Sequence, residues 1–382
     1  MLKIGRRGAV DPFIVMEVMR DANRREAQGE NILHLEVGQP STPAPRAVIA
    51  AAKAALDSER IGYTDALGLP ALRAAISRHY RDFYGADVPP ERIVVTTGSS
   101  GGFLLAFLAS FDPGDRVALA SPGYPCYRNI LRVLGIEPVL LPMTAASKFQ
   151  PTVTALSRYD GPRLDGLIVA SPSNPVGAVV PPDGLAGLVQ LCTAGGIRLI
   201  SDEIYHGITF GTPAATVAAL DEQAIIVNSF SKYFSMTGWR LGWLVLPPAL
   251  VQPVERLAQN LFISPPGLSQ YAAIAAFEAH DELQQNVRRY AANREILLNG
   301  LPAAGFDRLI ATDGAFYVYA DVGALTEDSI GFARRILTET GIAVTPGVDF
   351  DPARGHHFLR FSFAGATDDM IEAVHRLKSW RR

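Results

Sequence analysis

Short apolar runs alternate with helix-length stretches through the middle of the chain. The runs are too short to be helices and end at small or turn-forming residues, as buried strands do. This alternation favours an α/β fold with a mostly parallel sheet covered by helices on both faces, and with ligands bound where the strands end. The predicted strands of this sheet lie at 93–97, 117–120, 167–170, 198–201, 224–227 and 241–246.

The two ends of the chain carry different patterns. Apolar positions among charged residues predict an N-terminal helix within 10–29, and 33–37 is predicted to be a short strand. Residues 250–300 are predicted to be helical. After Gly314, the segments 315–319 and 359–363 alternate apolar and polar residues, as the strands of a second sheet would.

The chain of 382 residues is longer than one compact core usually serves. We therefore predict a large domain and a smaller one. We place the large domain at 41–285 and the small C-terminal domain at 286–382, with an N-terminal segment over 1–40 that packs on the small domain.

Bulk composition excludes several classes of protein. A net charge of -3 gives no sign of a surface for nucleic acid or membrane. Cys126 and Cys192 form no metal-binding spacing, and no stretch reads as a signal peptide or a membrane span. These features predict a cytoplasmic protein with reduced thiols.

A lysine stands in the loop that follows the buried run 224–227. Burial lowers the pKa of an ammonium group and makes Lys232 a candidate nucleophile of the Schiff-base kind. Ser229 and Ser231 on one side and Arg240 on the other offer hydroxyls and a planar cation, which suit a phosphate. Together these groups predict a binding site for pyridoxal phosphate. Taken alone, Lys232 is explained equally well as an exposed loop lysine.

Other strand ends carry groups of the same kind. Gly98, Ser99 and Ser100 stand between a strand and a helix, where free N–H groups and the helix dipole attract anions, and a tight turn is the alternative. Asp202 at the end of a buried strand requires a cationic partner, unless it caps a following helix.

These motifs, in this order from about Gly38 to Arg360, resemble the class I/II aminotransferases, which are fold type I pyridoxal-phosphate enzymes of the aspartate aminotransferase superfamily. The resemblance implies that Lys232 bonds to the cofactor and moves the proton, and that Asp202 pairs with the pyridinium nitrogen. It places an aromatic ring over the pyridine, for which we assign Tyr124 with Tyr127 as the second choice.

The resemblance also implies roles outside the lysine loop. Asn174 and Tyr205 would hydrogen-bond the cofactor's phenolic oxygen, and Asn174 would also contact the substrate. Arg360 would bind the substrate α-carboxylate, assisted by the backbone amide of Gly38. Tyr63 would reach across a homodimer interface to the neighbour's cofactor phosphate, although a half-buried packing tyrosine is the alternative.

The implied activity is ping-pong transfer of an amino group from an L-amino acid to a 2-oxo acid, with 2-oxoglutarate or pyruvate as the expected acceptor. The helix after Ser100 carries no Lys or Arg over 103–108, and Phe13 and Ile14 are apolar, which favours neutral or aromatic substrates. An aspartate aminotransferase stays open, because Arg6, Arg7 or a partner chain could supply a cation. A carbon–sulfur lyase, a ring-forming synthase and a decarboxylase use the same fold, whereas a DNA-binding regulator would need a further domain.

Overall fold

Thirteen strands lie in the part of the chain that the computed structural model describes, which is residues 2–211, 213–310 and 312–380. In chain order they are β1 (Leu33–His34), β2 (Ile93–Thr96), β3 (Arg116–Ser121), β4 (Glu137–Pro142), β5 (Gly166–Ala170), β6 (Arg198–Asp202), β7 (Ile225–Ser229), β8 (Gly242–Val245), β9 (Arg308–Ile310), β10 (Tyr317–Asp321), β11 (Ile342–Ala343), β12 (Thr345–Pro346) and β13 (Phe358–Ser362).

Twelve α-helices connect and cover these strands within the same residues. They are α1 (Ile14–Glu26), α2 (Arg46–Ser58), α3 (Pro70–His79), α4 (Gly98–Ser110), α5 (Pro125–Leu134), α6 (Val153–Ser157), α7 (Pro182–Gly195), α8 (Pro248–Leu261), α9 (Gly267–Ile274), α10 (His280–Ala303), α11 (Ser329–Thr340) and α12 (Thr367–Ser379). Across the described ranges, none of these helices is both long and apolar enough to cross a bilayer.

The large sheet has seven strands in the order β2-β8-β7-β6-β5-β3-β4. The five strands from β7 to β4 pair in parallel, and β8 runs antiparallel to both of its neighbours. Every residue of β2, β7 and β8 is buried, as expected for strands covered on both faces. The predicted α/β class with a mostly parallel sheet is therefore confirmed.

The register of this sheet brings the polar strand ends together. Ala170 at the end of β5 pairs with Asp202 at the end of β6, and Asp202 pairs with Val227 of β7. Because β7 then runs on to Ser229, the loop that carries Lys232 emerges beside Asp202. The carboxyl ends of three adjacent strands thus form one edge of the candidate site.

A second, antiparallel sheet has the order β12-β13-β10-β9, and β1 pairs in parallel with β11 through Leu33 and Ile342. The N-terminal segment is therefore joined to the C-terminal part of the chain. In β13, Arg360 pairs with Tyr319 of β10 and with Thr345 of β12. The domain limits at residues 40 and 285 stay a prediction.

Several element boundaries differ from those predicted. The strand expected over 33–37 ends at His34, because the carbonyl of Glu36 accepts from the side chains of Thr345 and Arg360. The expected turn at 98–102 is the first part of α4, a helix that is buried against the sheet. The strand expected over 315–319 begins only at Tyr317, because Ala315 has a φ of 57°.

Candidate active site

A cavity of about 470 Å³ lies at the carboxyl ends of the parallel strands and reaches β13 of the second sheet. Most of the residues predicted from the sequence line this one cavity. They are Gly38, Ser99, Ser100, Tyr124, Asn174, Asp202, Tyr205, Ser231, Lys232, Arg240 and Arg360.

Lys232 follows β7 and points its amine into the cavity. Its Nζ donates a hydrogen bond of 2.7 Å to the carbonyl oxygen of Gly38. Burial, together with the positive charges of Arg360 and Arg240, lowers the pKa of Lys232 to about 8. A larger fraction of this amine is therefore uncharged near neutral pH than of an ordinary lysine, as a nucleophile requires.

Asp202, the last residue of β6, is almost fully buried. Its Oδ2 accepts from the hydroxyl of Tyr127, and its Oδ1 accepts from the backbone N–H of Ile204 at 3.1 Å. Burial raises the pKa of Asp202 to about 6, although both of these hydrogen bonds act to lower it. No helix begins here among the described residues, so the alternative of a helix-capping aspartate does not apply. The cation that acts on this carboxylate is Lys232, which lowers its pKa without forming an ion pair.

The two tyrosines proposed as ring-stacking residues take different positions. Tyr127 lies in the first turn of α5 and is engaged with Asp202, while Tyr124 stands just before that helix. The Tyr124 ring meets the Tyr127 ring edge-on at 5.2 Å and the Phe13 ring edge-on at 5.8 Å. Both tyrosines line the cavity, and the assignment of Tyr124 as the stacking residue stays a prediction.

The expected phosphate-binding groups meet at the start of α4. Ser99 and Ser100 lie in its first turn, and Arg240 stands opposite in the left-handed region with a φ of 51°. A Cβ at Gly98 would lie 2.6 Å from Nη2 of Arg240, so only glycine lets the guanidinium approach this helix end.

Ser229 is one predicted site residue that the structure keeps behind the cavity. Its buried hydroxyl donates to the hydroxyl of Ser231 at 2.9 Å and accepts from the Ser231 amide at 3.1 Å. Thr237, which sequence reasoning missed, lines the cavity and donates to the carbonyl oxygen of Ser231 at 2.7 Å. Ser229 and Thr237 therefore fix the position of Ser231 from two sides.

Arg360 is held in place within β13 and is 2% exposed. Its Nη1 donates to Oδ1 of Asn174 at 2.8 Å, and its Nη2 donates to Thr345 Oγ1 at 3.2 Å and to the carbonyl oxygen of Glu36. The guanidinium carbon lies 4.3 Å from the ring centre of Tyr317 and 4.7 Å from that of Phe350. These are cation–π contacts that fix its plane.

Nε of Arg360 is buried and finds no hydrogen-bond acceptor among the described residues. A buried donor without an acceptor is costly, and a carboxylate is the acceptor that an arginine edge fits best. This orphaned donor suits the predicted role of Arg360 in holding a substrate carboxylate.

Tyr205 and Tyr317 form a pair beside Arg360. Their hydroxyls are 2.7 Å apart, and both residues line the cavity. Gly38 packs against Tyr317, because a Cβ there would lie 1.7 Å from the Tyr317 hydroxyl oxygen. Sequence reasoning missed Tyr317, since the alternation over 315–319 shows a strand but not which tyrosine faces the cavity.

The remaining wall of the cavity is apolar and comes mainly from α1 and the residue before it. Phe13, Val15, Met16 and Met19 line it, whereas Ile14, which was singled out beside Phe13, does not. The cations among the residues that line this cavity are Lys232, Arg240 and Arg360.

Tyr63 is not brought to the cavity within one chain. Its side chain is 83% exposed and contributes nothing to the lining. Within one chain Tyr63 is therefore not half-buried, and a role across an interface stays a prediction.

The donor set fits pyridoxal phosphate. A buried amine with a lowered pKa suits the aldehyde, a buried carboxylate that forms no ion pair within the described residues suits the ring nitrogen, and the helix end with Arg240 suits the phosphate. Each group stands on a different strand end or helix end of the same cavity.

Comparison with known proteins points the same way. The family model described as aminotransferase class I and II matches residues 30–377. The valine--pyruvate aminotransferase of Mycobacterium tuberculosis is 52% identical over 99% of this chain and 98% of its own length. A crystal structure of an aminotransferase from Mycobacterium tuberculosis, 52% identical, superposes with a TM-score of 0.97 over 100% of this chain and 99% of that chain. The structure of the aspartate aminotransferase from Thermus thermophilus with maleate is 31% identical. It superposes with a TM-score of 0.94 over 99% of this chain and 100% of that chain.

Proposed function

Because the chain belongs to the class I and II aminotransferases and transfers an amino group between an amino acid and a 2-oxo acid, we propose that it holds pyridoxal 5'-phosphate beside Lys232 and uses neutral amino acids as donors. The observation that carries this proposal is the convergence of the Lys232 amine, the Asp202 carboxylate and the Arg360 guanidinium on one cavity.

The ring of the cofactor would be held by residues on β6 and after β5. When bound, pyridoxal phosphate supplies a ring that accepts electrons from the substrate. Asp202 would keep the ring nitrogen protonated, since the two charges neutralise each other in a buried place. Oδ1 of Asn174 already accepts from Arg360, so its Nδ2 is left to donate to the phenolic oxygen, beside Tyr205.

The phosphate would be held by Ser99, Ser100, Ser231 and Arg240, while Gly98 keeps the approach open. Lys232, once free of the cofactor, would move the proton away from the substrate Cα as a general base. Its hydrogen bond to the Gly38 carbonyl oxygen fixes the amine at the side of the cavity next to Arg360.

A homodimer is part of this proposal. Arg240 is exposed in the single chain, and Tyr63 is 83% exposed. The backbone N–H of Thr64 donates to Ser264 Oγ at 3.3 Å, which places Tyr63 near the exposed Ile263. A second copy packed on this surface would bury these apolar side chains and bring its Tyr63 towards the phosphate site. Both cysteines are free thiols, which supports action in the cytoplasm.

The donor that fits this cavity is a neutral amino acid with an apolar side chain, such as valine, and the proposed acceptor is pyruvate. Arg360 would take the α-carboxylate, and Phe13, Val15 and Met16 would contact the side chain. The three cations that line the cavity all have other partners in this scheme, so none of the lining residues is left for the second carboxylate of aspartate. The Mycobacterium tuberculosis relative, whose name states valine and pyruvate, supports the same assignment.

The test is a single-turnover screen of the twenty amino acids against the cofactor-loaded enzyme, followed by a screen of 2-oxo acids. Valine and similar neutral amino acids are expected to react fastest, and aspartate slowly. Faster reaction with aspartate would refute the neutral assignment, and release of pyruvate and ammonia without consumption of a 2-oxo acid would indicate a lyase. Borohydride reduction followed by peptide mass spectrometry should place the cofactor on Lys232, and Lys232→Ala should remove both label and turnover.

A further inference from the structure

We propose that Asp349 is a positioning residue that sets the selectivity for the substrate side chain, by holding the first turn of α1 against the cavity. The effect on selectivity rests on the proposed function, whereas the capping of α1 by Asp349 does not. Asp349 does not line the cavity, and its effect would reach the substrate only through α1.

Asp349 supplies the N-terminal cap that α1 lacks. Phe13, the residue at the cap position, makes no side-chain hydrogen bond to the helix. Instead, the backbone N–H groups of Ile14 and Val15 donate to Oδ1 and Oδ2 of Asp349 at 3.3 and 3.1 Å. Asp349 is fully buried and stands more than 330 residues away in the chain. A carboxylate at a helix start satisfies free N–H groups and favours the helix dipole.

The capped turn carries the apolar wall of the cavity. Val15 and Met16 follow directly on the capped amides, Phe13 precedes them, and Met19 lies one turn further along the same helix. A shift of this turn would therefore displace the surface that contacts the substrate side chain.

The segment that carries Asp349 also holds the groups around the substrate carboxylate. The Phe350 ring lies 4.7 Å from the guanidinium carbon of Arg360, and its carbonyl oxygen accepts from the N–H of Gly123 at 3.0 Å. Asp349 and Phe350 together thus fix the separation between the apolar wall and the carboxylate-binding arginine. Loss of the Asp349 side chain releases the wall and leaves the hydrogen bonds of Arg360 in place. It also removes a negative charge that acts on Arg360, and this effect on the α-carboxylate is common to all amino acids, so it cancels in a ratio of two substrates.

The consequence is a change of selectivity rather than a general loss of activity. Valine reaches the wall with two methyl groups, whereas alanine carries a single methyl close to Cα. One apolar carbon contact in a well-formed pocket discriminates by about 10-fold or more. We expect Asp349→Ala to lower the valine-to-alanine ratio of half-reaction rate constants by about 10-fold.

The experiment compares three variants of the full chain loaded with cofactor. Asp349→Ala removes both acceptors, and Asp349→Asn keeps one acceptor oxygen and should lower the ratio less. The matched control is Asp328→Ala, which removes the side-chain cap of α11, where Asp328 Oδ1 accepts from the Gly331 N–H at 3.0 Å. No residue of α11 lines the cavity, so this control should lose stability without a change in the ratio.

Hydrogen exchange of the α1 amides provides a second readout that does not depend on activity. It should rise over 14–19 in Asp349→Ala and stay unchanged in the control. An unchanged ratio or unchanged exchange in Asp349→Ala would overturn the proposal, as would an equal change of ratio in Asp328→Ala. If Asp349→Ala does not fold, the same criteria apply to Asp349→Asn. If the wild-type enzyme uses neither valine nor alanine, the proposed function and the selectivity role fail together, while exchange still decides the capping role.

Discussion

The change Arg360→Lys tests most directly how the site would bind its substrate. The variant keeps the positive charge but loses the planar fork, which now donates to Asn174 and Thr345 while it lies between two aromatic rings. A lysine ammonium can make one of these contacts but cannot present two parallel N–H groups to a carboxylate. One hydrogen bond to a charged group contributes about 1.5–3 kcal/mol.

That magnitude corresponds to a fall in kcat/KM of about 10- to 100-fold, because every 1.4 kcal/mol is about tenfold. The fall should be the same for every amino acid, since the α-carboxylate is common to all of them. Steady-state kinetics with three donors of different side chains would measure it. The matched control is Arg294→Lys, because Arg294 also donates to a carbonyl oxygen and lies 5.5 Å from the Phe210 ring, but outside the cavity. A loss in Arg360→Lys confined to one donor, or an equal loss in the control, would refute the assignment.

Three further predictions follow from burial and exposure. The rate at which cofactor-free protein takes up pyridoxal phosphate should rise as the pH rises through about 8, because Lys232 loses its proton there. Stopped-flow absorbance measures this rate, and the fastest uptake at acidic pH would contradict the prediction. Burial raises the pKa of Glu203 from 4.5 to about 7, so the folded chain binds the extra proton and stability falls as pH rises through this window. In Glu203→Gln, the free energy of unfolding measured with denaturant should therefore fall less between pH 5 and pH 7 than in the wild type. An equal fall in both proteins would exclude Glu203 as the cause of the pH dependence. Tyr63→Phe should weaken cofactor binding about 10-fold, because one hydrogen bond to the phosphate is lost. The midpoint of unfolding should not change. An unchanged affinity in cofactor titrations would show that Tyr63 does not bind the phosphate.

Much of the architecture could be predicted because buried parallel strands leave a strong local signal. The apolar runs before Lys232 and Asp202 are strands, and a polar residue at such an end has few structural reasons to be there. The family resemblance, confirmed by the match over residues 30–377, supplied the roles that local patterns lack. Arg360 in particular lies inside a strand, and the spacing of its neighbours alone predicts an edge-strand arginine that faces water.

The remaining features depend on contacts between distant parts of the chain. Tyr317 meets Gly38 and Tyr205 only after two sheets come together, and Asp349 caps a helix at the opposite end of the sequence. Thr237 is not predictable in this way, because a threonine in a Ser/Gly-rich loop carries no periodic signal. The glycines and serines at the start of α4 are typical of a turn, whereas burial against the sheet favours a helix there.

The close approach of Gly38 to the Tyr317 hydroxyl has an evolutionary consequence. A methyl group at position 38 would occupy the space of that hydroxyl, so a side chain at position 38 requires a smaller residue at position 317. Related chains that carry alanine or serine at the position of Gly38 should also have exchanged Tyr317 for a smaller side chain. Such a paired exchange would uncover one face of the arginine, and those lineages should accordingly have adopted different substrates.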